Sequence, residues 1–486
     1  MEPIMYVELD GRGARYAQLI RALKSGILEG RLAAGSRLLP SRALANELQI
    51  SRNTVLAAYE QLQAEGFLVA RVGSGSFIAD VAPRSKPPRP ETAEDLAAPV
   101  SAFARRARSL SDGLRIPGRQ HADLRYNLQY GLPLTNPALA NAWRREIAKA
   151  VERAEFDYPD AQGLLALREQ ICDYLARRRG VTAHPDDVLI VSGTQQALAL
   201  AARVLLDEGD TVVLEDPHYR GARQIFATHG GRVRGVSVDG DGLVPETLPS
   251  RARLAVVTPS HQFPTGALLP LGRRIDLIEW AAACKAWLIE DDYDGEFRFG
   301  GRPIAALKSL DHDSRVIYIG SYSKTLFPAL RLGYMVLPRA LRETFCAAKW
   351  LEDRGSNTLE QAALAHFMAS GGFERHLRRA GNSLRARRAA MLAGLKKYAK
   401  DAIEVVDSNA GMHLTAWLKR GTHAECERLA AHARSRGLGL YTIAPYMFQS
   451  STRPGLLFGY AASPPADIDA GLRLFGQCLK ETGLLG

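Results

Sequence analysis

Cysteine is scarce: Cys172, Cys284, Cys346, Cys426 and Cys478 are the five in 486 residues, scattered and without a CxxC pair. That excludes a disulfide framework and the common zinc spacings, and it is the usage expected of a cytoplasmic chain in a reducing compartment, with no metal site. Apolar runs long enough to cross a bilayer are lacking, and so is the apolar stretch of a secretory leader in the opening MEPIMYVELDGRGARY. No repeat of solenoid period is present. Acidic residues fall short of basic ones, 52 against 63, so the net charge is +11 and the isoelectric point about 9.5. That balance permits an anionic partner such as nucleic acid without requiring one. What is present, 46% hydrophobic and 24% charged residues, is the composition of a globular protein that buries a large core. The length predicts two or three domains.

The excess of positive charge is spread along the chain. Part lies in Arg84, Lys86, Arg89, Arg105, Arg106 and Arg108, and part in Arg375, Arg378, Arg379, Arg385, Arg387 and Arg388. The later run reads equally well as a solvated helix face.

Residues 16–80 form a compact pattern. YAQLIRALKSGILEG places Leu19, Leu23 and Ile27 at helical spacing and stops at Gly30. SRALANEL reads as a short second helix capped by Ser41, after Pro40. SRNTVLAAYEQLQAEG reads as a third, capped by Ser51 and stopped by Gly66. FLVARVGSGSFIA then reads as two strands around a glycine turn. Helix, short helix, capped helix and hairpin make a winged helix-turn-helix. A recognition helix meets base edges with its first residues, here Arg52, Asn53 and Thr54, while its amide groups face phosphate. Arginine reads guanine and asparagine reads adenine. Arg42 suits a phosphate, and Arg71 with the GSGS tip, Gly73 to Ser76 with Gly75 inside it, suits a wing along the backbone. The segment RLLPSRALANELQISRNTVLAAYEQLQAEGFLVARVGSGSFI strongly resembles the DNA-binding domain of the GntR family of bacterial transcription regulators, with LLPSR where LPSSR is commoner.

Residues 81–121 are rich in proline and arginine and read as a linker, partly extended. From residue 122 to 486, DVLIVSG, DTVVLED, LAVVTPS, AWLIEDD and RVIYIGS alternate with helical stretches. That alternation predicts an α/β fold around a largely parallel sheet, followed by a smaller α+β lobe in the last hundred residues.

Several fragments of this body suit one task, holding pyridoxal 5′-phosphate (PLP). Gly193, Thr194 and Gln195 close a strand and open a helix, whose free amide groups attract phosphate. Tyr219, after a strand end, suits stacking on a pyridine ring. Asp291, at the C-terminal end of another strand, suits the pyridine nitrogen, and Tyr293 the ring hydroxyl. In SYSKTLFPALRLGY, Lys324 suits a Schiff base (an aldimine), while Ser321, Ser323 and Arg331 suit the phosphate.

Together these fragments resemble the fold type I aminotransferases over roughly residues 125–486, and FDYPDAQGLLALREQI adds to the likeness. The resemblance implies that Tyr158 reaches the phosphate in the partner subunit's site, hence a homodimer. With the head at residues 1–80, the chain resembles the MocR (GabR-like) regulators, to which TPSHQFPTG (residues 258–266) and EDDYDGEFRF (residues 290–299) are similar. Two departures bear on function. Phe263 stands where aminotransferases carry asparagine, leaving the ring hydroxyl to Tyr293, His261 or Gln262. Leu457 stands near where they carry the arginine that clamps a substrate carboxylate; Arg453 is close in sequence, and Arg220 follows the stacking Tyr219 as an added arginine does in some regulators that the chain resembles. The expectation is therefore a PLP-dependent regulator rather than an enzyme. It would bind an operator in double-stranded DNA and sense PLP or a small amino compound at Lys324. An aminotransferase with a regulatory head is the alternative.

Overall fold

The structure, a computed structural model, describes residues 7–80, 100–111, 123–134, 136–154, 157–300, 304–448 and 453–485. The chain divides into two units, Met1–Val100 and Ser101–Gly486.

In the first unit, α1 (Arg15–Leu28), α2 (Ser41–Glu47) and α3 (Arg52–Ala64) pack on the hairpin of β1 (Leu68–Arg71) and β2 (Gly75–Ile78). Leu19, Leu23, Leu44, Val55, Ala58 and Leu62 are fully buried between them. The helical spacing of these residues explains the folding of so short a segment: each helix turns one apolar stripe inward. Ser51 caps α3, its Oγ accepting from the Thr54 amide at 3.0 Å. Ser41 does not cap α2; Pro40 holds the cap position without a side-chain bond, and Ser41 is the first helical residue.

The stretch read as a linker contains a ten-residue helix, Ala102–Ser111. It buries no residue, but Arg106 donates to the Thr228 carbonyl at 2.9 Å and pairs with Glu208 at 2.8 Å. Polar contacts replace the apolar periodicity that would have marked it. The other linker residues, 81–99 and 112–121, lie outside the described residues, and with them Arg84, Lys86 and Arg89.

The body is built on an eight-stranded sheet. After the short β3 (Tyr126–Asn127), its strands are β4 (Val188–Val191), β5 (Thr211–Asp216), β6 (Arg232–Asp239), β7 (Gly242–Leu243), β8 (Leu254–Val257), β9 (Trp287–Asp292), β10 (Val316–Ser321) and β11 (Gly333–Val336). Their order is β4-β11-β10-β9-β8-β5-β6-β7. β6, β5, β8, β9 and β10 run parallel, while β11 is antiparallel to both of its neighbours. β4, β5, β8, β9 and β10 are almost entirely buried, as expected of strands covered by helices on both faces. The smaller lobe holds β12 (Ile403–Val406), β13 (His413–Leu418), β14 (Leu438–Gly439), β15 (Tyr441–Thr442) and β16 (Gly455–Gly459); four of these form the antiparallel sheet β12-β13-β16-β15. The helix Gly372–Ala399 carries the late basic run. Arg375, Arg378, Arg379 and Arg385 are exposed on it. Arg387 turns to the Ala461 carbonyl, and Arg388 to Asp407 and Asn409, so the run is only partly a solvated face. Among the described residues no helix is long and apolar enough to cross a membrane.

Candidate functional site

In the first unit the capping of α3 sorts its leading residues. Ser51 and Thr54 are occupied with each other and with the cap, their hydroxyls 2.8 Å apart. Arg52 and Asn53 are exposed at the same end, and Arg42 is exposed on α2. Many neighbouring cations are neutralised: Arg21 by Asp10, Lys24 by Glu65 and Arg31 by Glu29. Arg42 and Arg52 have no such partner among the described residues. Arg71 lies over the Phe77 ring at 4.6 Å, at the base of the turn where Gly73 and Gly75 hold φ of +74° and +102°. Exposed Arg37, close against Gly75, extends this basic edge. Its irregular stretch before α2 has no periodicity that would mark it in the sequence.

In the body, the proposed residues gather at the C-terminal ends of the parallel strands, where open α/β sheets receive ligands. Gly193 follows β4 with φ of +83° and opens the helix Thr194–Leu205. A Cβ there would lie 3.5 Å from the Arg331 guanidinium, which donates to the Ser192 carbonyl at 2.7 Å. The helix N-terminus and an arginine thus share one corner. Ser321 ends β10, and its Oγ accepts from the Ser323 amide at 3.2 Å. Tyr219 opens the helix after β5 and accepts from Gln195 Nε2 at 2.6 Å, so Gln195 orients the ring. Gly221 leaves room for that contact: a Cβ there would fall 2.3 Å from Gln195 Nε2.

Lys324 Nζ donates to the Gly131 carbonyl at 2.5 Å. Desolvation pushes its pKa below the ordinary lysine value, against the opposing pull of Asp294 and Asp291. Such an amine loses its proton more readily and becomes a nucleophile. Asp291 is buried at the end of β9, and its Oδ1 has no hydrogen-bond partner among the described residues. Burial pushes its pKa up to about 7, with Asp292, Asp294 and Glu215 adding to the effect. Tyr293 Oη lies 2.9 Å from His261 Nδ1, which also lies 3.0 Å from both oxygens of Asp294. Of the three candidates for the ring-hydroxyl position, Tyr293 and His261 therefore meet. Gln262 instead ties Glu215, Pro217 and the Phe263 carbonyl together. Tyr158 is 79% exposed, and among the described residues its side chain bonds to none of these groups.

Several features escaped the sequence. Glu215, buried at the end of β5 and also pushed up to about 7 by burial, holds the loop after β8 through Thr258 and Gln262. The acid of LEDP at a strand end was the available signal. Phe263 lies among the rings of Tyr130, Tyr219, Tyr293, His413 and Tyr446, with centroids 5.3–6.1 Å away. Leu457 is fully buried on β16, opposite Thr415 and Tyr441. Since strand side chains alternate, it faces away from the core that takes Leu456 and Phe458. Arg453 pairs with Glu404. Arg220 is half-buried, without an acidic partner among the described residues.

Two family descriptions match the chain: "Aminotransferase class I and II" over residues 127–467 and "Bacterial regulatory proteins, gntR family" over residues 15–78. The "Probable rhizopine catabolism regulatory protein MocR" of Rhizobium meliloti is 34% identical over 99% of this chain and 98% of its own length. The "HTH-type pyridoxine biosynthesis transcriptional regulator PdxR" of Corynebacterium glutamicum is 31% identical, over 92% and 91%. Among solved structures, LysN, an α-aminoadipate aminotransferase of Thermus thermophilus complexed with N-(5′-phosphopyridoxyl)-L-leucine, is 28% identical. It superposes with a TM-score of 0.69 over 80% of this chain and 98% of that one.

Proposed function

The chain belongs to the MocR-type GntR regulators, a gntR-family head joined to an aminotransferase class I and II body, and on that premise we propose that it binds operator DNA through the head and senses PLP, or a small amine that reacts with PLP, through the body. One observation carries the cofactor reading: the buried Asp291 Oδ1 lacks a partner among the described residues, beside a desolvated lysine. A protonated pyridine nitrogen is the partner such a carboxylate lacks. The Gly193–Arg331 corner fits a phosphate, and Tyr219 a ring face. When bound, PLP supplies a visible chromophore and a carbon that bonds amines reversibly. Lys324 holds the cofactor, Asp291 keeps the ring nitrogen protonated, and Tyr293 donates to the ring hydroxyl. Ser321, Ser323, Arg331 and the amides of Gly193, Thr194 and Gln195 take the phosphate. Tyr158, exposed within one chain, completes the site of the partner subunit in a cytoplasmic homodimer.

Sensing rather than turnover is supported by the substrate side. Leu457 is apolar where a carboxylate clamp is usual, and Arg453 is committed to Glu404. Arg220, at the helix start beside Tyr219, is the cation left for an effector that carries an acid group. A ligand signals only through different affinities for two states of the protein. A coupling of about 1–3 kcal/mol changes DNA affinity roughly 5- to 150-fold.

Titrating the full chain with PLP is expected to produce a visible band that Lys324→Ala lacks, and PLP or an amine is expected to shift operator binding. Steady amino transfer to a keto acid with no DNA response would instead establish the aminotransferase reading. In the head, Arg52→Ala is expected to weaken binding by about 1–3 kcal/mol and relax preference at one base pair, measured on a panel of operator variants. Arg42→Ala is expected to weaken all sequences alike.

A further inference from the structure

Asp294 is 1% exposed, and His261 is the only hydrogen-bond donor to its carboxylate among the described residues. A buried carboxylate without a donor is costly, so the proton on Nδ1 goes to Asp294. Nδ1 then cannot accept from Tyr293, although the two lie 2.9 Å apart. The tyrosine proton remains free for a ligand.

The other face of the imidazole leads to the smaller lobe. His261 Nε2 lies 3.2 Å from Ser408 Oγ, and Ser408 Oγ donates to the Ala410 carbonyl at 3.2 Å. Ser408 Oγ thus lies within hydrogen-bond reach of both Nε2 and the Ala410 carbonyl, and links the imidazole to the turn. The turn at residues 407–411 approaches closely because residue 411 is glycine. A Cβ there would fall 2.2 Å from His261 Cε1 and 2.7 Å from Asp294 Oδ2. The same turn receives Arg388 on Asp407 and Asn409, and its Gly411 amide donates to Phe297 at 2.8 Å.

We propose that His261 is a positioning residue: paired with Asp294 it frees the Tyr293 hydroxyl for the cofactor, and through Ser408 it transmits cofactor occupancy to the 407–411 turn of the smaller lobe. The inference rests on the PLP-sensing reading above. It adds a defined contact between the ring-hydroxyl position and the element that anchors the helix Gly372–Ala399.

The test uses the full chain, with and without PLP, and two readouts: the visible band and hydrogen exchange of the peptide covering residues 404–414. The parent is expected to show the band and slower exchange in that peptide when PLP is added. Ser408→Ala leaves Tyr293, His261 and Asp294 in place, so it is expected to bind PLP within about twofold of the parent yet lose the exchange response. His261→Leu is expected to weaken PLP about 10- to 100-fold, because it leaves the buried Asp294 carboxylate beside Tyr293 without a donor. His261→Gln, which keeps a donor for Asp294, is expected to recover part of that loss. If Ser408→Ala keeps the band and the full exchange response, the coupling is wrong while PLP sensing stands. If His261→Leu binds PLP as tightly as the parent, the positioning role is wrong. If the parent itself shows no band, the PLP reading fails and this inference with it.

Discussion

At pH 8 and without cofactor, Asp291→Asn is expected to be more stable than the parent and, once PLP is added, to bind it far more weakly. The two effects have one origin. Burial beside Asp292, Asp294 and Glu215 raises the Asp291 pKa from 3.8 to about 7 in the folded protein. Below about pH 4 the group is protonated in both folded and unfolded chains and costs nothing. Between pH 4 and 7 the unfolded chain releases the proton and the folded chain keeps it, so stability falls as pH rises. Above pH 7 the penalty is fully present, about 4 kcal/mol. Asparagine carries no such penalty. Denaturant unfolding of the cofactor-free proteins should therefore give a gap of up to about 4 kcal/mol at pH 8 that closes toward pH 4. With PLP the order is expected to invert, because the variant lacks the carboxylate that would pair with the ring nitrogen. Loss of one partner of a buried pair costs about 3–5 kcal/mol, so affinity should drop roughly 150- to 5,000-fold. A variant less stable than the parent at pH 8, with PLP affinity intact, would show that Asp291 has a purely structural partner.

The contrast between Asp291 and His261 shows where sequence reasoning stops. Asp291, Ser321 and Gly193 could be read directly, because each ends a short apolar run and the C-terminal ends of parallel strands converge on one place. Lys324 and Arg331 followed from their spacing on a single loop. His261 and Asp294 are 33 residues apart, and Ser408 lies 147 residues from His261. Only the pairing order of β8 and β9 and the return of the smaller lobe bring them together. The helix Ala102–Ser111 was missed for a different reason. It buries no apolar residue, and polar bonds from Arg106 and an edge contact of Phe103 on His229 hold it, so its sequence has no buried stripe to read. Ser41 was read as a cap from residue type alone, whereas the extended backbone at Pro40 places the helix start one residue earlier.

Operator affinity is expected to fall about 10,000-fold between 50 and 200 mM salt. Each phosphate neutralised releases condensed counterions, giving a slope of about −0.9 per contact in a log–log plot. The overall charge of +11 does not set that slope, because only cations free to meet phosphate count. In the head Arg21, Lys24 and Arg31 are tied to acids, while Arg37, Arg42 and Arg52 are exposed and Arg71 lies along the wing. Four such cations per head, three along the backbone and Arg52 in the groove, bring about eight positive charges against the duplex in the proposed homodimer and give a slope near −7. A fourfold change in salt then gives the stated loss. Arg42→Ala removes one contact from each head and should flatten the slope by about 2. Arg21→Ala, which deletes a cation already paired with Asp10, should leave the slope unchanged. A flat salt response in the parent would remove the phosphate-backbone interface altogether. An equal change of slope in Arg21→Ala and Arg42→Ala would mean that net charge, rather than the free cations of the head, governs DNA binding.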